Sequence, residues 1–320
     1  MGITTSSLPV GRARADDGYV HDVMLWTRAD AFVRDTVDFV RAGLLADERV
    51  LVALPAPRLR AVRVALGEGA RHVSFADMEE LGSNPARIIA AWVQFVTESG
   101  DRPSRGVGEP LWAGRTRVEV KECQLHEALL NDAIPATVPL WLRCPYEVGA
   151  LSTEVVDEAL SSHPWVAETD GTARANESYG GGALGAVGFA TPLPEPPAAS
   201  ILRTITPQTL RTVRDLALHV ARVCGVAEER AADLGLALHE LGVNSVVHGH
   251  GGTLRLWRTP EALVCEVTDA GIVADPLTGR LAPDTDEPDG RGLWMVNQLC
   301  DLVQLRSSES GTTVRVHTWL

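Results

Sequence analysis

No run of apolar residues in this 320-residue chain is long enough to cross a bilayer, which excludes a helical membrane protein. The opening residues, Met1-Gly-Ile-Thr-Thr-Ser6, lack the basic stretch and apolar core of a secretion signal, so a cytoplasmic protein is expected. Basic clusters are missing too. Lys and Arg number 29 against 42 Asp and Glu, and the net charge of −13 argues against binding nucleic-acid phosphates. With no helix-turn-helix pattern either, a DNA-binding regulator is disfavoured. Cysteine is sparse: five residues, odd in number and widely scattered. Cys224, Cys265 and Cys300 lie in apolar patterns and read as small core residues. Cys123-x-x-His126 has the spacing of half a metal site, but no second pair follows it. There is no internal repeat.

What is present is ordinary globular composition, 45% hydrophobic and 22% charged, in a chain long enough for two domains. Residues 1–17 are polar and expected to be disordered. Between 18 and 166, helical and strand-like stretches alternate. Apolar spacing predicts helices over 29–44, 59–66, 85–97 and 148–160, and buried strands at Arg49–Leu54, His72–Phe75 and Leu140–Cys144. That alternation implies an α/β domain with a mostly parallel sheet. Residues 167–200 have the composition of a linker, glycine-rich around Gly180-Gly-Gly182 and then stiffened by Pro192-Leu-Pro-Glu-Pro-Pro197.

A second domain is expected over 201–320. Thr206-Pro207 reads as an N-cap with proline at the first helical position, opening a helix to Val223. A second helix covers 228–247. Strands at 253–257 and 263–268 form a hairpin around Thr259-Pro-Glu261, and a helix at 291–300 precedes strands at 301–306 and 312–319. This is an α+β arrangement, an antiparallel sheet covered on one face by helices. Between them, Val273 to Asp289 holds three prolines and five acidic residues and has no periodicity.

Four short sequences in this domain carry chemistry. Glu240, Asn244 and His248 fall at i, i+4 and i+8, so they share one helical stripe. A carboxylate and an amide placed there can polarise a hydroxyl and offer oxygen to Mg²⁺. Alone the pair means little, since roughly one Glu-x-x-x-Asn is expected in a chain this long. Glu80…Asn84 and Glu127…Asn131 repeat it with no glycine boxes behind them. Asp269-Ala-Gly271 ends a strand. The carboxylate can accept the exocyclic amine of adenine and Gly271 permits close backbone approach, or the three residues are a common turn. Gly290-Arg291-Gly292-Leu293 opens a helix, where backbone N–H groups and the dipole favour phosphate and Arg291 can add a charge-assisted contact. The same glycines also suit a tight helix start. Gly311-Thr312-Thr313 is either a hairpin turn or a strand start that aims the Thr312 hydroxyl at a ligand.

The order and setting of these boxes resemble the Bergerat-type ATP-binding superfamily, which includes histidine kinases, gyrase and the anti-sigma factor kinases. The resemblance implies ATP and Mg²⁺ as cofactors, with Glu240 acting on the attacking group and Asn244 holding the metal. It further implies Asp269 on adenine, Gly290, Gly292 and Leu293 on the phosphate side, and a lid over about 272–289. One departure stands at Val273, where the family's Asp-x-Gly-x-Gly has its last glycine. The domain's compact length, His248-Gly249 and the Gly-Arg-Gly-Leu box look most like the anti-sigma serine/threonine kinases. No phospho-acceptor histidine heads a helical hairpin, which disfavours a sensor histidine kinase.

The first domain resembles the MEDS sensory module found ahead of such kinases. The marks are His21, Ala42-Gly-Leu44, Gly108-Glu-Pro-Leu-Trp112, Glu127…Asn131, Cys144-Pro-Tyr146 and His163-Pro164. That module is similar to a degenerate P-loop ATPase. Here Pro55-Ala-Pro-Arg58 follows the strand in place of a Gly-x-x-x-x-Gly-Lys-Ser/Thr loop, so no hydrolysis is expected in it. One reading of this face is a small-molecule site at the C-terminal strand ends; the other is structural, with His163-Pro164 as a helix stop and Cys144-Pro145 as a strand end.

Together the resemblances imply a regulator whose partners are a sigma factor and a STAS-type anti-anti-sigma protein, phosphorylated on Ser or Thr. The alternative is a non-catalytic module that uses ATP to switch partner affinity. The residues leave open whether the chain forms a homodimer.

Overall fold

The computed structural model describes residues 12–13, 18–283 and 291–320. The chain divides into two units, 1–185 and 186–320, each with its own sheet.

The first unit runs β1 (Arg12–Ala13), β2 (Val20–Trp26), α1 (Ala29–Leu45), β3 (Arg49–Leu54), α2 (Ala56–Leu66), β4 (Val73–Asp77), α3 (Met78–Leu81) and α4 (Ile88–Ser99). It continues with β5 (Ser104–Gly108), α5 (Arg117–Ala133), β6 (Leu140–Glu147), α6 (Thr153–Ser162), β7 (Trp165–Ala167) and β8 (Ala173–Ala175), and the division falls inside α7 (Leu184–Ala190). The sheet order is β1-β8-β7-β2-β6-β5-β3-β4. From β7 to β4 every pairing is parallel, while β8 and β1 add an antiparallel edge.

The central strands are buried on both faces, as helix-covered parallel strands require, and seven of the eight residues of β6 are buried. Among the charged pairs buried inside, two are two-point contacts. Arg143 on β6 grips the Asp22 carboxylate on β2 with Nε–Oδ1 at 2.9 Å and Nη2–Oδ2 at 2.8 Å, and the Trp141 indole N–H adds a third donor at 2.7 Å. Arg105 and Glu48 form a second two-point pair. Each of these four charges is thus matched by an opposite charge and hydrogen bonds. α5 begins with a capping box, in which Thr116 and Glu119 each accept the other's backbone N–H.

The first unit departs from the boundaries read in the sequence. Arg12–Ala13, inside the stretch read as disordered, pairs with β8, and the rest of 1–17 lies outside the described residues. β8 and the turn before it lie inside the stretch read as a linker. Asn176 secures them, its amide donating to Leu160 O at 2.6 Å and His163 O at 2.7 Å. Polar, small residues there satisfy backbone groups of neighbouring segments, which composition alone does not distinguish from a linker. The last helix of the parallel layer starts at Thr153, five residues later than the apolar spacing suggests.

The second unit comprises β9 (Ile201–Ile205), α8 (Leu210–Val223), α9 (Glu228–His248), β10 (Gly252–Arg258), β11 (Ala262–Asp269), α10 (Arg291–Leu299), β12 (Leu302–Ser308) and β13 (Gly311–Trp319). Its sheet, β12-β13-β11-β10-β9, is antiparallel throughout. α9 turns Leu234, Leu238 and Leu241 inward. Its Gly235 and Gly242 let α8 come close, since a β-carbon at either would meet Leu218 or Leu210 at 2.8 Å. α8 starts at Leu210, not at Thr206-Pro207. Thr209 Oγ1 accepts the Thr206 N–H at 2.8 Å, so these four residues form a turn ahead of the helix. The mixed α/β unit followed by an antiparallel sheet with helices is the fold class expected from the sequence.

Candidate functional site

α9 and the end of β11 meet around Asp269. Its Oδ2 accepts the Ser245 hydroxyl at 2.6 Å, and its Oδ1 accepts the Gly271 N–H at 2.8 Å. The carboxylate is held from two sides and keeps lone pairs free for a further donor. Glycine makes this approach possible. A β-carbon at Gly249 would lie 2.6 Å from the Asp269 side chain, and one at Gly252 would lie 2.6 Å from Thr268 O.

A second hydrogen-bond chain fixes the segment after Asp269. The Val273 N–H donates to Ser307 Oγ at 2.9 Å, and Ser307 and Thr312 share a hydroxyl contact at 2.8 Å. The Thr312 hydroxyl donates to Gly271 O at 2.7 Å. With each hydroxyl donating once, the run is Val273 to Ser307 to Thr312 to Gly271. The Thr312 proton is therefore committed to backbone and is not aimed at a ligand.

α10 closes the other side. A β-carbon at Gly292 would sit 3.2 Å from Glu240 Oε2 and 3.3 Å from Asn244 Nδ2, so the helical pair and the glycine box touch. Asn297 Nδ2 donates to Gly279 O at 2.8 Å, tying the loop to α10. Gly279 itself has φ +75° and sits against Leu293, where a side chain would be both strained and crowded.

These elements line an open cavity of about 490 Å³ whose walls include Asn244, Asp269, Gly271, Gly292, Leu293 and Thr312. Its volume is within the usual range for small-molecule sites. Ile272 and Val273 also line it, beside Leu241, Val267 and Val314. Glu240 lies one helical turn from Asn244, outside the lining but against Gly292. Arg291 is the exposed first residue of α10 and does not line the cavity. Gly290 lies outside the described residues, as do 284–289 of the expected lid; the described part, 272–283, contains no helix or strand.

Sequence reasoning marked Gly249 only through the His248-Gly249 pair and missed Ser245, Gly252 and Ser307. Ser245 had one available signal, its place beside Asn244 on the inward side of the helix. The other Glu-x-x-x-Asn pairs separate clearly. Asn84 caps a short 3₁₀ turn by accepting Ala86 N–H at 3.2 Å, whereas Glu127 and Asn131 lie in a buried polar cluster of the first unit.

With fold and site in view, the class of each unit can be stated. Residues 20–164 match the family model described as "MEDS: MEthanogen/methylotroph, DcmR Sensory domain", and residues 204–318 match "Histidine kinase-like ATPase domain". The chain thus carries a MEDS domain followed by a histidine kinase-like ATPase domain. Among solved structures it is similar to the RsbU and RsbW domains of Rv1364c from Mycobacterium tuberculosis, at 20% identity and a TM-score of 0.29. That match covers 38% of this chain and 32% of the other, about a third of its length. No curated protein matches the sequence. No helix among the described residues is long and apolar enough to cross a membrane.

Proposed function

We propose that the second domain binds ATP with Mg²⁺ in the 490 Å³ cavity and serves an anti-sigma type regulator as a protein serine/threonine kinase. The carrying observation is the convergence of Asn244, Asp269 and Gly292 on one cavity, with Glu240 against Gly292. The residues fit the nucleotide. Asp269, oriented by Ser245 and Gly271, presents free lone pairs to an amine donor on adenine. Asn244 offers the amide oxygen that a hard cation takes. Gly292 lets a polyanion approach the start of α10, beside Leu293. Bound Mg-ATP supplies the phosphoryl group and the cation that offsets its charge. Glu240 then orients and deprotonates a Ser or Thr hydroxyl on a STAS-type partner. Thr312 acts as a brace for Gly271. A sigma factor is the second partner in this reading, and the MEDS domain, similar to a P-loop ATPase without its phosphate loop, senses a small molecule.

One observation favours a second reading, ATP as a ligand that only switches partner affinity. Val273 stands where a glycine hinge is expected, and its N–H is fastened to Ser307. That fastening, with a side chain in place of glycine, limits the backbone freedom of the segment directly after Asp269.

Calorimetric titration of the full chain with Mg-ATP should show saturable binding that Asp269→Asn weakens; no binding by the wild type defeats both readings. Labelled ATP with a STAS partner then separates them. The kinase reading requires wild-type labelling that Glu240→Ala abolishes, and equal failure of both proteins leaves the switch.

A further inference from the structure

Four buried side chains in the MEDS domain converge on one point: His21 on β2, Glu127 on α5, Cys144 on β6 and His163 at the end of α6. Their ligand atoms all lie within 4.8 Å of one another, and their exposures are 1%, 1%, 2% and 0%. His21 Nε2 is 3.1 Å from Glu127 Oε2 and 3.3 Å from Cys144 Sγ. Glu127 Oε2 is 3.4 Å from His163 Nε2 and 3.7 Å from Cys144 Sγ. In a tetrahedral zinc site with bonds of roughly 2.0–2.3 Å, neighbouring ligand atoms sit about 3.3–3.8 Å apart. Of the six pairs, three fall in that interval, His21–Glu127 falls about 0.2 Å short of it, and the remaining two lie within 4.8 Å.

The tautomers can be assigned from partners that only accept. Ala159 O receives His163 Nδ1 at 2.7 Å, so that nitrogen carries the proton. Ser162 O receives Asn131 Nδ2 at 2.8 Å, which turns Asn131 Oδ1 toward His21 Nδ1 at 3.1 Å and places a proton on that nitrogen as well. With Nδ1 committed outward in each ring, both imidazoles turn Nε2, the other possible ligand atom, toward the shared point. His163 Nε2, fully buried, makes no hydrogen bond beyond its 3.4 Å approach to Glu127 Oε2. Such outer hydrogen bonds on Nδ1 are what orient metal-bound histidines. Tyr146 does the same for the carboxylate, donating to Glu127 Oε1 at 3.2 Å and leaving Oε2 turned inward.

We propose that His21, Glu127, Cys144 and His163 form a closed four-ligand site for a divalent transition metal of the zinc type. Two nitrogen, one sulfur and one oxygen donor suit zinc, and four protein ligands leave no open position, the pattern of a structural site. A thiolate and a carboxylate together balance the charge of a dication in a place water does not reach. The metal joins two adjacent strands to two helices, from residue 21 to residue 163. Cys123 and His126, the pair with suggestive spacing in the sequence, take no part. Cys123 donates its thiol to Pro110 O at 3.2 Å instead.

The test uses the full-length chain, purified without chelator and, separately, refolded with Zn²⁺ or Co²⁺. Elemental analysis should give one metal per chain. The Co²⁺ form should show tetrahedral d–d bands and a thiolate-to-cobalt charge-transfer band. Cys144→Ser should remove the charge-transfer band and weaken retention at least about tenfold, while Cys123→Ser keeps both signals. Wild-type chain with native circular dichroism that takes up no metal by either route overturns the proposal. So does a thiolate band that survives Cys144→Ser or disappears with Cys123→Ser.

Discussion

Glu109, directly after β5, has no exposed surface, and its two oxygens differ in their surroundings. Oε1 accepts Arg58 Nη1 at 2.5 Å, while Oε2 has no hydrogen-bond partner. Burial pushes this carboxyl up to about 8, and the attraction of Arg58 offsets only part of that rise. The sign of the stability effect follows. The folded chain keeps a proton that the unfolded chain releases above a pH of about 4.3, so this contribution is full below that value and is lost as pH rises toward about 8. Glu109→Gln keeps the contact with Arg58 and cannot ionise. Its melting temperature relative to wild type should therefore climb steadily as pH goes from about 5 to about 8. A difference independent of pH would show that Glu109 is ionised throughout. The sequence marked Gly108-Glu-Pro-Leu-Trp112 as a family feature but carried no sign of this burial, because the partner arrives from α2, 51 residues earlier. The same holds in the candidate site. Asn244, Asp269 and Gly292 were legible because each stands at a helical turn, a strand end or a helix start. Ser245 and Ser307 act through hydrogen bonds spanning 24 and 34 residues, which no local pattern records.

At the scale of elements, α10 shows how a glycine can serve a site without serving the fold. The neighbours that a methyl at Gly292 would meet, Glu240 Oε2 at 3.2 Å and Asn244 Nδ2 at 3.3 Å, are side-chain ends that can shift by a few tenths of an ångström. Alanine is also the better helix former, by up to about 1 kcal/mol. Gly292→Ala should leave the melting temperature unchanged or slightly raised, yet weaken Mg-ATP at least about tenfold, about 1.4 kcal/mol, by crowding the phosphate side. Calorimetry and titration on the same sample check both halves, and unchanged affinity would remove Gly292 from the site. Most elements were legible for a simple reason. β3, α9, β11 and β13 have strong periodicity or bounded apolar runs, and their own residues decide them. β7 and β8 escaped notice because three-residue strands carry no period, and the clamp that holds β8, Asn176, reads as one more polar residue in a glycine-rich stretch.

Taken whole, the molecule places its two candidate sites in two separately packed units, and that division makes the two binding proposals thermodynamically separable. A ligand that binds only the folded form adds RT ln(1 + [L]/Kd), about 2.7 kcal/mol at a hundredfold excess over Kd. For a unit of this size that corresponds to a rise on the order of 10 °C in its own melting transition. Heating the full chain in a calorimeter should therefore resolve two transitions. Mg-ATP should raise the one belonging to 186–320, and removal of metal by a chelator should lower the one belonging to 1–185. The reagents must be applied one at a time, because a chelator also takes Mg²⁺. A single transition moved by both would mean the units unfold as one body. A nucleotide effect confined to the 1–185 transition would instead move the ATP site into the MEDS domain. Pro55-Ala-Pro-Arg58 in place of a phosphate loop, and the Asn244–Asp269–Gly292 cavity in the other unit, both argue for the first outcome.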